Sequence, residues 1–238
     1  AGRGIGRALA GQLLDAGVAR IVAVGRDRAP LDALAAQVEG RVDVVTADLA
    51  SPADIDRLVA AMHDSAPELS VVIHNAGVQT LTDFIDGDAA SHAPALRAEI
   101  EINFGAVVAL TCGLLPLLLA QPSAMIVNVT SGLALAPKKS SPVYCATKAA
   151  VRAFGKGLRY QAQDRAPHLR VVEALPPLVD TDMTRGRGRH KLDAGECARQ
   201  IVAGMQAGRE EVYVGKSRLL RWIHGVSPDL ADRVMRNG

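Results

Sequence analysis

Residues 125–148, MIVNVTSGLALAPKKSSPVYCATK, form the stretch that decides the fold. Its mostly apolar start, residues 125–129, has the length and β-branched character of a buried parallel strand. The hydroxyl side chains of Thr130 and Ser131 follow at the predicted strand end, and two prolines mark a loop. A helical run then begins at Tyr144. This order of strand, loop and helix is typical of an α/β protein with a parallel sheet.

Tyr144 and Lys148 are the first candidates for chemistry. Residues four apart on a helix share one face, with β-carbons about 5–6 Å apart. A nearby ammonium favours the phenolate, so Lys148 is expected to lower the pKa of Tyr144 from its ordinary value of about 10. Ser131 ends the preceding strand, where open α/β sheets bind ligands. A Tyr–Lys pair alone is common on helices, but with this serine it predicts a general acid/base acting on an oxygen that Ser131 also contacts.

The composition bounds the class of protein. A chain of 238 residues that is 49% hydrophobic and has 22 glycines is long enough for one α/β domain spanning residues 1–238. The net charge of +2 gives no reason to expect nucleic acid or a membrane as a partner. The three cysteines lack metal-ligand or disulfide spacing, so we expect no metal site and a reducing, cytoplasmic location. The apolar run 114–119 is short and contains a proline, which indicates a core helix.

The chain begins in a glycine-rich turn, AGRGIG at residues 1–6, which opens a helical run. Such a turn lets backbone N–H groups and the helix dipole approach a phosphate, so we predict cofactor contacts at Arg3, Gly4, Ile5 and Gly6. A strand normally precedes the turn, and no residues precede this one. We therefore expect the first, central strand of a doubly wound sheet to be missing, with weak cofactor binding or poor folding as the consequence.

The next predicted strand, residues 20–24, ends at Gly25, Arg26 and Asp27. An acid at such a strand end binds the adenosine ribose hydroxyls, whereas an arginine accommodates a 2′-phosphate. Gly25 stands where the acid is expected and Arg26 follows it, with Arg3 on the same side, so NADP(H) is favoured. Two solvated arginines are the plain alternative, and Asp27 leaves NAD(H) open.

Further cofactor contacts are predicted where later strands end. Asp48 and Leu49 end the predicted strand at 42–49, and Asp48 either binds the adenine amino group or begins a turn. Small residues after the strand at 71–74 let the backbone pass close to a flat ligand, which assigns cofactor contacts to Asn75, Ala76 and Gly77. His74 is interpreted as a packed strand-end histidine. Thr181, beyond the double proline after the strand at 169–175, is placed near the cofactor carboxamide or phosphate.

Three other segments have less specific signals. The run from Leu96 reads as one long helix in which Asn103 either bonds locally or holds a water that joins Lys148 to solvent. Residues 184–191, TRGRGRHK, form a basic loop that is either a mobile lid over the substrate or a solvated loop. The positive charge of this loop favours an anionic substrate or further contacts with a cofactor phosphate. The amphipathic tail, residues 217–238, is expected to pack on the domain or on a partner subunit.

In this order and spacing, the motifs resemble the short-chain dehydrogenases/reductases over nearly the whole chain. The resemblance is carried by Gly2–Gly6, Asp48, Asn75–Gly77, Asn103, Ser131, Tyr144 and Lys148. The segments at 127–137, 176–183 and 211–224 are similar to the subgroup of DltE-like oxidoreductases. His74 and Pro177 depart from the family, which more often has Asn and Gly there.

The resemblance implies a Rossmann-like, doubly wound parallel sheet with helices on both faces. It implies that Tyr144 is the acid/base, that Ser131 orients the carbonyl, that Lys148 binds the nicotinamide ribose, and that Asn103 completes the set through a water. The implied partner is a small-molecule carbonyl or alcohol, and the implied assembly is a homodimer or homotetramer.

We therefore expect an NADP(H)-dependent oxidoreductase that interconverts a carbonyl and an alcohol. A nucleotide-binding regulatory protein on the same fold is the alternative, because fold does not dictate function. A hydrolase with Ser131 as nucleophile is discounted, because the sequence lacks the Gly-x-Ser-x-Gly elbow around this serine.

Overall fold

The computed structural model describes residues 1–38, 40–85, 87 and 89–237. Strands and helices alternate along most of this length. The strands are β1 (Ile21–Gly25), β2 (Val42–Thr46), β3 (Val71–His74), β4 (Ala124–Val129), β5 (Leu169–Leu175) and β6 (Glu211–Tyr213). The helices are α1 (Gly4–Asp15), α2 (Arg28–Ala35), α3 (Pro52–Ser65), α4 (Ala89–Ile100), α5 (Ala106–Leu119), α6 (Pro142–Arg165), α7 (Ala194–Gln206), α8 (Ser217–Val226) and α9 (Pro228–Met235).

All pairings between these strands are parallel, which confirms the predicted class of sheet. The four strands β3-β4-β5-β6 are hydrogen-bonded in that order, and β1 pairs with β2 in a separate ladder. The best-matched pair is β4 with β5, whose register runs from Ala124 opposite Leu169 to Val129 opposite Ala174. Parallel strands place all their carboxyl ends at one edge, where the candidate site lies.

Helices cover both faces of the four-stranded ladder, as predicted. Val127 of β4 and Val172 of β5 pack with Leu9 of α1 and Ile201 of α7. Their neighbours Ile126 and Val171 instead belong to the cluster built by α5 and α6, which contains Leu118 and Ala162. Because successive side chains of a strand point to opposite faces, each strand is buried on both sides. This burial explains why β4 and β5 read as continuous apolar runs.

Within the described residues, no hydrogen bond joins the two ladders. Side chains form the contact between them. Val24 of β1, Val45 of β2 and Val72 of β3 pack against one cluster formed by α3 and α5. The amino group of Ala1 donates to the Val24 carbonyl oxygen at 2.6 Å, which ties the start of the glycine-rich turn to β1. The expected consequences for folding and cofactor affinity stay predictions.

A π-helical turn interrupts the long helix that was predicted from Leu96. Residues Glu101–Gly105 form this turn between α4 and α5, and Asn103 is in its middle. π-helical turns inside α-helices are frequent at functional sites. The helical stretch Ala90–Leu119 is the one that is long and apolar enough to cross a membrane within the described chain. It packs as a core helix, because α5 buries Val107, Leu110, Leu114 and Leu118.

The tail packs partly on the domain. Leu220 of α8 and Ala231 of α9 are buried against Ala136, at the start of the loop before α6. Trp222 and Val226 remain 67% and 69% exposed. The tail therefore uses one apolar stripe for intramolecular packing, and the interpretation of a contact with a partner subunit stays a prediction.

Candidate active site

A cavity of about 600 Å³ opens at the carboxyl ends of the strands, between the glycine-rich turn and the start of α6. Its size suits a bound cofactor or other small molecule. Of the predicted site residues, those that line it are Arg3, Gly4, Ile5, Arg26, Asp48, Leu49, Asn75, Ala76, Gly77, Ser131, Tyr144, Lys148 and Thr181. The two other predicted residues, Gly6 and Asn103, lie behind its wall.

Lys148 is 4% exposed and fixed by the end of β4. Its Nζ donates to the Val129 carbonyl oxygen at 2.9 Å and lies 5.8 Å from the centre of the Tyr144 ring. A β-carbon added to Gly77 would stand 3.5 Å from this Nζ, so the small residue lets the segment after β3 run directly beside the ammonium. The phenol and the ammonium therefore lie close together, as predicted.

Two opposing effects act on the pKa of Lys148. Burial lowers the pKa of Lys148 to about 8, and the nearby carboxylate of Glu99 acts to raise it. Glu99 is fully buried, and its Oε2 accepts a hydrogen bond from the Thr80 backbone N–H at 2.7 Å. Its other oxygen, Oε1, has no hydrogen-bond partner within the described chain.

Glu99 was missed by sequence reasoning. A signal existed, since Glu99 stands four residues before Asn103 in an apolar helical run, where an acid requires an explanation. Burial also raises the pKa of the Glu99 carboxyl, while the Thr80 hydrogen bonds and the positive charge of Lys148 act in the opposite direction.

The prediction that Lys148 lowers the pKa of Tyr144 is wrong for this structure. Burial raises the pKa of the phenol well above its ordinary value, and the negative charges of Cys145 and Glu99 add to the rise. Only Ser131, whose side chain lies against the phenol, favours its ionised form. The physical reason is that removing a phenolate from water is costly, whereas the ammonium of Lys148 is held against the Val129 carbonyl.

Ser131 is positioned by the short turn that follows β4. Residues Gly132–Ala134 form one 3₁₀ turn, and the Ser131 Oγ accepts a hydrogen bond from the Leu133 N–H at 3.2 Å as its N-cap. This cap uses a lone pair of the hydroxyl, so its hydrogen can be donated to the Tyr144 oxygen or to a ligand in the cavity. Ser131 and Tyr144 line the same cavity, as the sequence predicted.

Asn103 has partners from distant segments, so the alternative of a local back-bond is not realised. Its Oδ1 accepts from the Val78 N–H at 2.8 Å, and its Nδ2 donates to the Val78 carbonyl at 2.9 Å and to the Thr147 Oγ1 at 3.1 Å. The side chain therefore links the segment after β3 to α6. Its role in a water relay stays a prediction.

The glycine-rich turn is closely packed. Gly4 has a φ of +54°, and a β-carbon there would lie 3.1 Å from Cγ2 of Thr181. A β-carbon on Gly6 would lie 2.7 Å from Nδ2 of Asn75, which explains the glycine behind the cavity wall. Because α1 begins at Gly4 without a side-chain cap, its first N–H groups are available to an anion.

The far end of the cavity fits an adenosine phosphate. The exposed side chains of Arg3, Arg26 and Asp27 surround it, and none forms an ion pair with a described residue. The Asp48 Oδ1 accepts a hydrogen bond from the Ala50 N–H at 3.0 Å, so this residue does build the turn while also lining the cavity. A dinucleotide suits this set of donors: helix N–H groups for the pyrophosphate and guanidinium groups for a further phosphate.

His74 is 8% exposed, which agrees with its interpretation as a packed histidine. Its Nε2 lies 3.1 Å from the Thr111 Oγ1, and burial lowers its pKa to about 4. Further apolar residues that the sequence did not single out line the cavity near Ser131: Leu133, Leu178, Met183, Leu220 and Met235.

The chain belongs to the short-chain dehydrogenase family, whose family model, described as short chain dehydrogenase, matches residues 1–192. Within this family it falls in the DltE-like subgroup. The uncharacterized oxidoreductase DltE of Bacillus subtilis is 35% identical over 224 residues, which covers 88% of this chain and 83% of that protein. An uncharacterized oxidoreductase of Staphylococcus epidermidis is 33% identical over 205 residues, covering 85% and 86%.

Solved structures share the fold. A short chain dehydrogenase from Burkholderia cenocepacia in complex with NADP has a TM-score of 0.86 and 25% identity, and the match covers 100% of this chain and 95% of that one. A short-chain dehydrogenase from Sphingobium yanoikuyae in complex with NADPH has a TM-score of 0.82 and 25% identity, covering 97% and 92%. A protein of the same class from Burkholderia phymatum in complex with NAD has a TM-score of 0.80 and 21% identity, covering 95% and 92%.

Proposed function

We propose that this oxidoreductase uses NADP(H) to interconvert a carbonyl and an alcohol. The observation that carries the proposal is the convergence of Ser131, Tyr144 and Lys148 on one cavity whose other end is the glycine-rich turn. A protein that only binds a nucleotide has no need of this catalytic set. Two solved neighbours that contain NADP or NADPH support the choice of cofactor.

When bound, the nicotinamide supplies or accepts the hydride at the substrate carbon. In the reducing direction the Tyr144 hydroxyl donates its proton to the substrate oxygen, and the Ser131 hydroxyl donates a hydrogen bond to the same oxygen. The raised pKa of Tyr144 keeps the phenol protonated, and it also makes the proton harder to release. Lys148 is held against the Val129 carbonyl oxygen beside the phenol, and its proposed role is to bind the nicotinamide ribose.

The residues that would hold the cofactor follow from their positions. The turn at Arg3–Gly6 would bind the pyrophosphate, Asp48 and Leu49 the adenine, and Lys148 with Tyr144 the nicotinamide ribose. Asn75–Gly77 would pass beneath the ring, and Thr181 would contact the carboxamide or a phosphate. Arg3 and Arg26 favour NADP(H) through the 2′-phosphate, and Asp27 is the group that would serve NAD(H) instead.

The proposal is tested by measuring NADPH and NADH oxidation with a panel of aldehydes and ketones, alongside cofactor affinity by fluorescence titration. We expect turnover with NADPH that depends on Tyr144. The regulatory alternative would be supported if the cofactor binds tightly but no carbonyl is reduced and no alcohol is oxidised. Absence of both binding and turnover would contradict both functions.

We also propose that the chain forms one domain, residues 1–238, in the cytoplasm and assembles as a homodimer or homotetramer. The shared side-chain cluster of the two ladders supports a single domain. Light scattering after size-exclusion chromatography measures the assembly, and a monomer at micromolar concentration would contradict it.

A further inference from the structure

Lys138 stands beside the acid/base at the substrate end of the cavity. Its backbone N–H donates to the Cys145 Sγ at 3.4 Å, which anchors the loop before α6 next to Tyr144. Its half-buried side chain lines the same cavity as Ser131 and Tyr144. Burial lowers the pKa of Lys138, and the positive charge of Arg187 acts in the same direction.

Arg187 is tied to the cavity wall through the neutral side chain of Gln79, which lines the cavity. Its Nη1 donates to the Gln79 Oε1 at 2.6 Å, and the Gln79 Nε2 donates to the Ser141 Oγ at 2.9 Å. This chain of hydrogen bonds joins the basic loop 184–191 to the segment after β3 and to the start of α6. The remaining N–H groups of the guanidinium stay available to a ligand.

The two cations have no acidic partner in the described part of the chain. Neither Lys138 nor Arg187 forms an ion pair there, whereas the nearby acids are already engaged, Asp182 with Arg185 and Asp180 with Lys191. Positive charges in a partly buried site repel each other unless an anion joins them. Lys138 in the cavity wall, with Arg187 hydrogen-bonded to the wall residue Gln79, therefore favours the binding of a negative group.

Part of the cavity wall is apolar. Leu133 lines it together with Leu220, which packs beside Gly132, and Leu178, which packs beside Gly188. An apolar wall lowers the local dielectric constant and strengthens the attraction between a cation and an anion. The site thus favours a molecule with an apolar body and one negative group.

We propose that the physiological substrate is a carbonyl compound carrying a carboxylate, or the corresponding hydroxy acid. Lys138 and Arg187 bind the carboxylate while the carbonyl oxygen meets Ser131 and Tyr144. This inference rests on the proposed function and adds the class of substrate to it.

The test compares a keto acid with its methyl ester and its amide, each assayed with NADPH. We expect kcat/KM to favour the acid by roughly tenfold to a hundredfold, the range for hydrogen bonds to a charged group. In Lys138→Met and Arg187→Met this preference falls towards one, mainly through a higher KM for the acid. Lys139→Met is the matched control for Lys138→Met, because the neighbouring Lys139 is exposed and, unlike Lys138, does not line the cavity.

Two results would overturn the inference while leaving the oxidoreductase intact. One is equal kcat/KM for acid and ester in the unaltered protein. The other is a parallel loss of NADPH affinity in Lys138→Met and Arg187→Met, which would assign these cations to a cofactor phosphate.

A binding measurement separates this inference from the proposed function. Calorimetry with phenylbutyrate and phenylbutyramide, neither of which has a reducible ketone or aldehyde, needs no turnover. The site is supported if the carboxylate binds and the amide does not, even if every carbonyl tested fails to react. This binding should be lost in Lys138→Met and kept in Lys139→Met. Equal or absent binding of the two compounds overturns it.

Discussion

The Nδ2 of Asn103 donates a hydrogen bond to the Thr147 Oγ1 at 3.1 Å, across 44 residues of sequence. The same hydroxyl donates to the Tyr144 carbonyl oxygen at 2.9 Å. Asn103 also binds both backbone groups of Val78. The π-helical turn thereby links the segment after β3 to the turn of α6 that contains Tyr144 and Lys148.

Replacing Asn103 by Leu should destabilise the fold as well as impair catalysis. Its loss leaves the Val78 N–H and C=O without a partner, while the Thr147 hydroxyl keeps its bond to the Tyr144 carbonyl oxygen. Buried unsatisfied groups cost about 1–3 kcal/mol each. We expect the free energy of unfolding in urea to fall by about 2–4 kcal/mol. In Thr147→Val, which removes one of these bonds, the free energy of unfolding should fall by less. Unchanged stability with lost turnover would instead assign Asn103 to the water relay alone.

Replacing Tyr144 by Phe should remove the proton donor and leave the cofactor cleft largely intact. General acid/base catalysis contributes about 10²–10⁴-fold to a rate, so we expect kcat to fall by at least that range. NADPH affinity, measured by fluorescence titration, should change little. Turnover equal to that of the unaltered protein would refute the assigned role of the phenol.

Replacing Glu99 by Gln should shift the pH dependence of activity. The carboxylate of Glu99 acts to raise the pKa of Lys148, which burial lowers to about 8. Without it, Lys148 loses its proton at a lower pH, so the alkaline limb of the kcat/KM profile should move to lower pH. The amide still accepts the Thr80 hydrogen bond, which limits the structural change.

The linked effect on stability has a definite sign. The folded pKa of Lys148 lies below that of an unfolded lysine, so the unfolded chain binds more protons from about pH 8 upward. Lys148 therefore contributes a rise in stability as the pH increases through that value, and in Glu99→Gln the rise should begin at lower pH. Identical pH profiles for the two proteins, in activity and in stability, would show that Glu99 does not act on Lys148.

Replacing Arg26 by Ala should weaken NADPH selectively. A lost charge-assisted hydrogen bond to the 2′-phosphate corresponds to roughly tenfold or more in KM for NADPH. The KM for NADH, which lacks this phosphate, should stay nearly constant. If the unaltered protein prefers NADH, Asp27 would instead be assigned the contact with the ribose.

Two glycines of α1 offer a matched pair. Gly6→Ala places a β-carbon 2.7 Å from the Asn75 Nδ2, whereas the β-carbon in Gly11→Ala meets no atom within 4 Å. Gly11→Ala should stabilise the fold by about 0.5–1 kcal/mol, the ordinary gain of alanine in a helix. Gly6→Ala should reduce both stability and NADPH affinity. Equal thermal unfolding temperatures for the two variants would contradict the close packing at Gly6.

Much of the framework follows from local signals. β5 begins at Leu169 and ends at Leu175 as predicted, because a doubly buried strand is a continuous apolar run. The Ser51 side chain caps α3 by accepting from the Asp54 N–H, which is likewise a contact between near neighbours in the sequence. β2 ends at Thr46, before the predicted limit, because Asp48 starts a turn there.

By itself, the sequence determined the alternation of strands and helices, the position of Ser131 at a strand end, and the shared helix face of Tyr144 and Lys148. These depend on side-chain period and covalent spacing, which are local. Only the tertiary structure decided the partners of Asn103, the burial of Glu99 near Lys148, the bond between Arg187 and Gln79, and the raised pKa of Tyr144. These depend on desolvation and on contacts between distant segments, and both arise only when the chain packs.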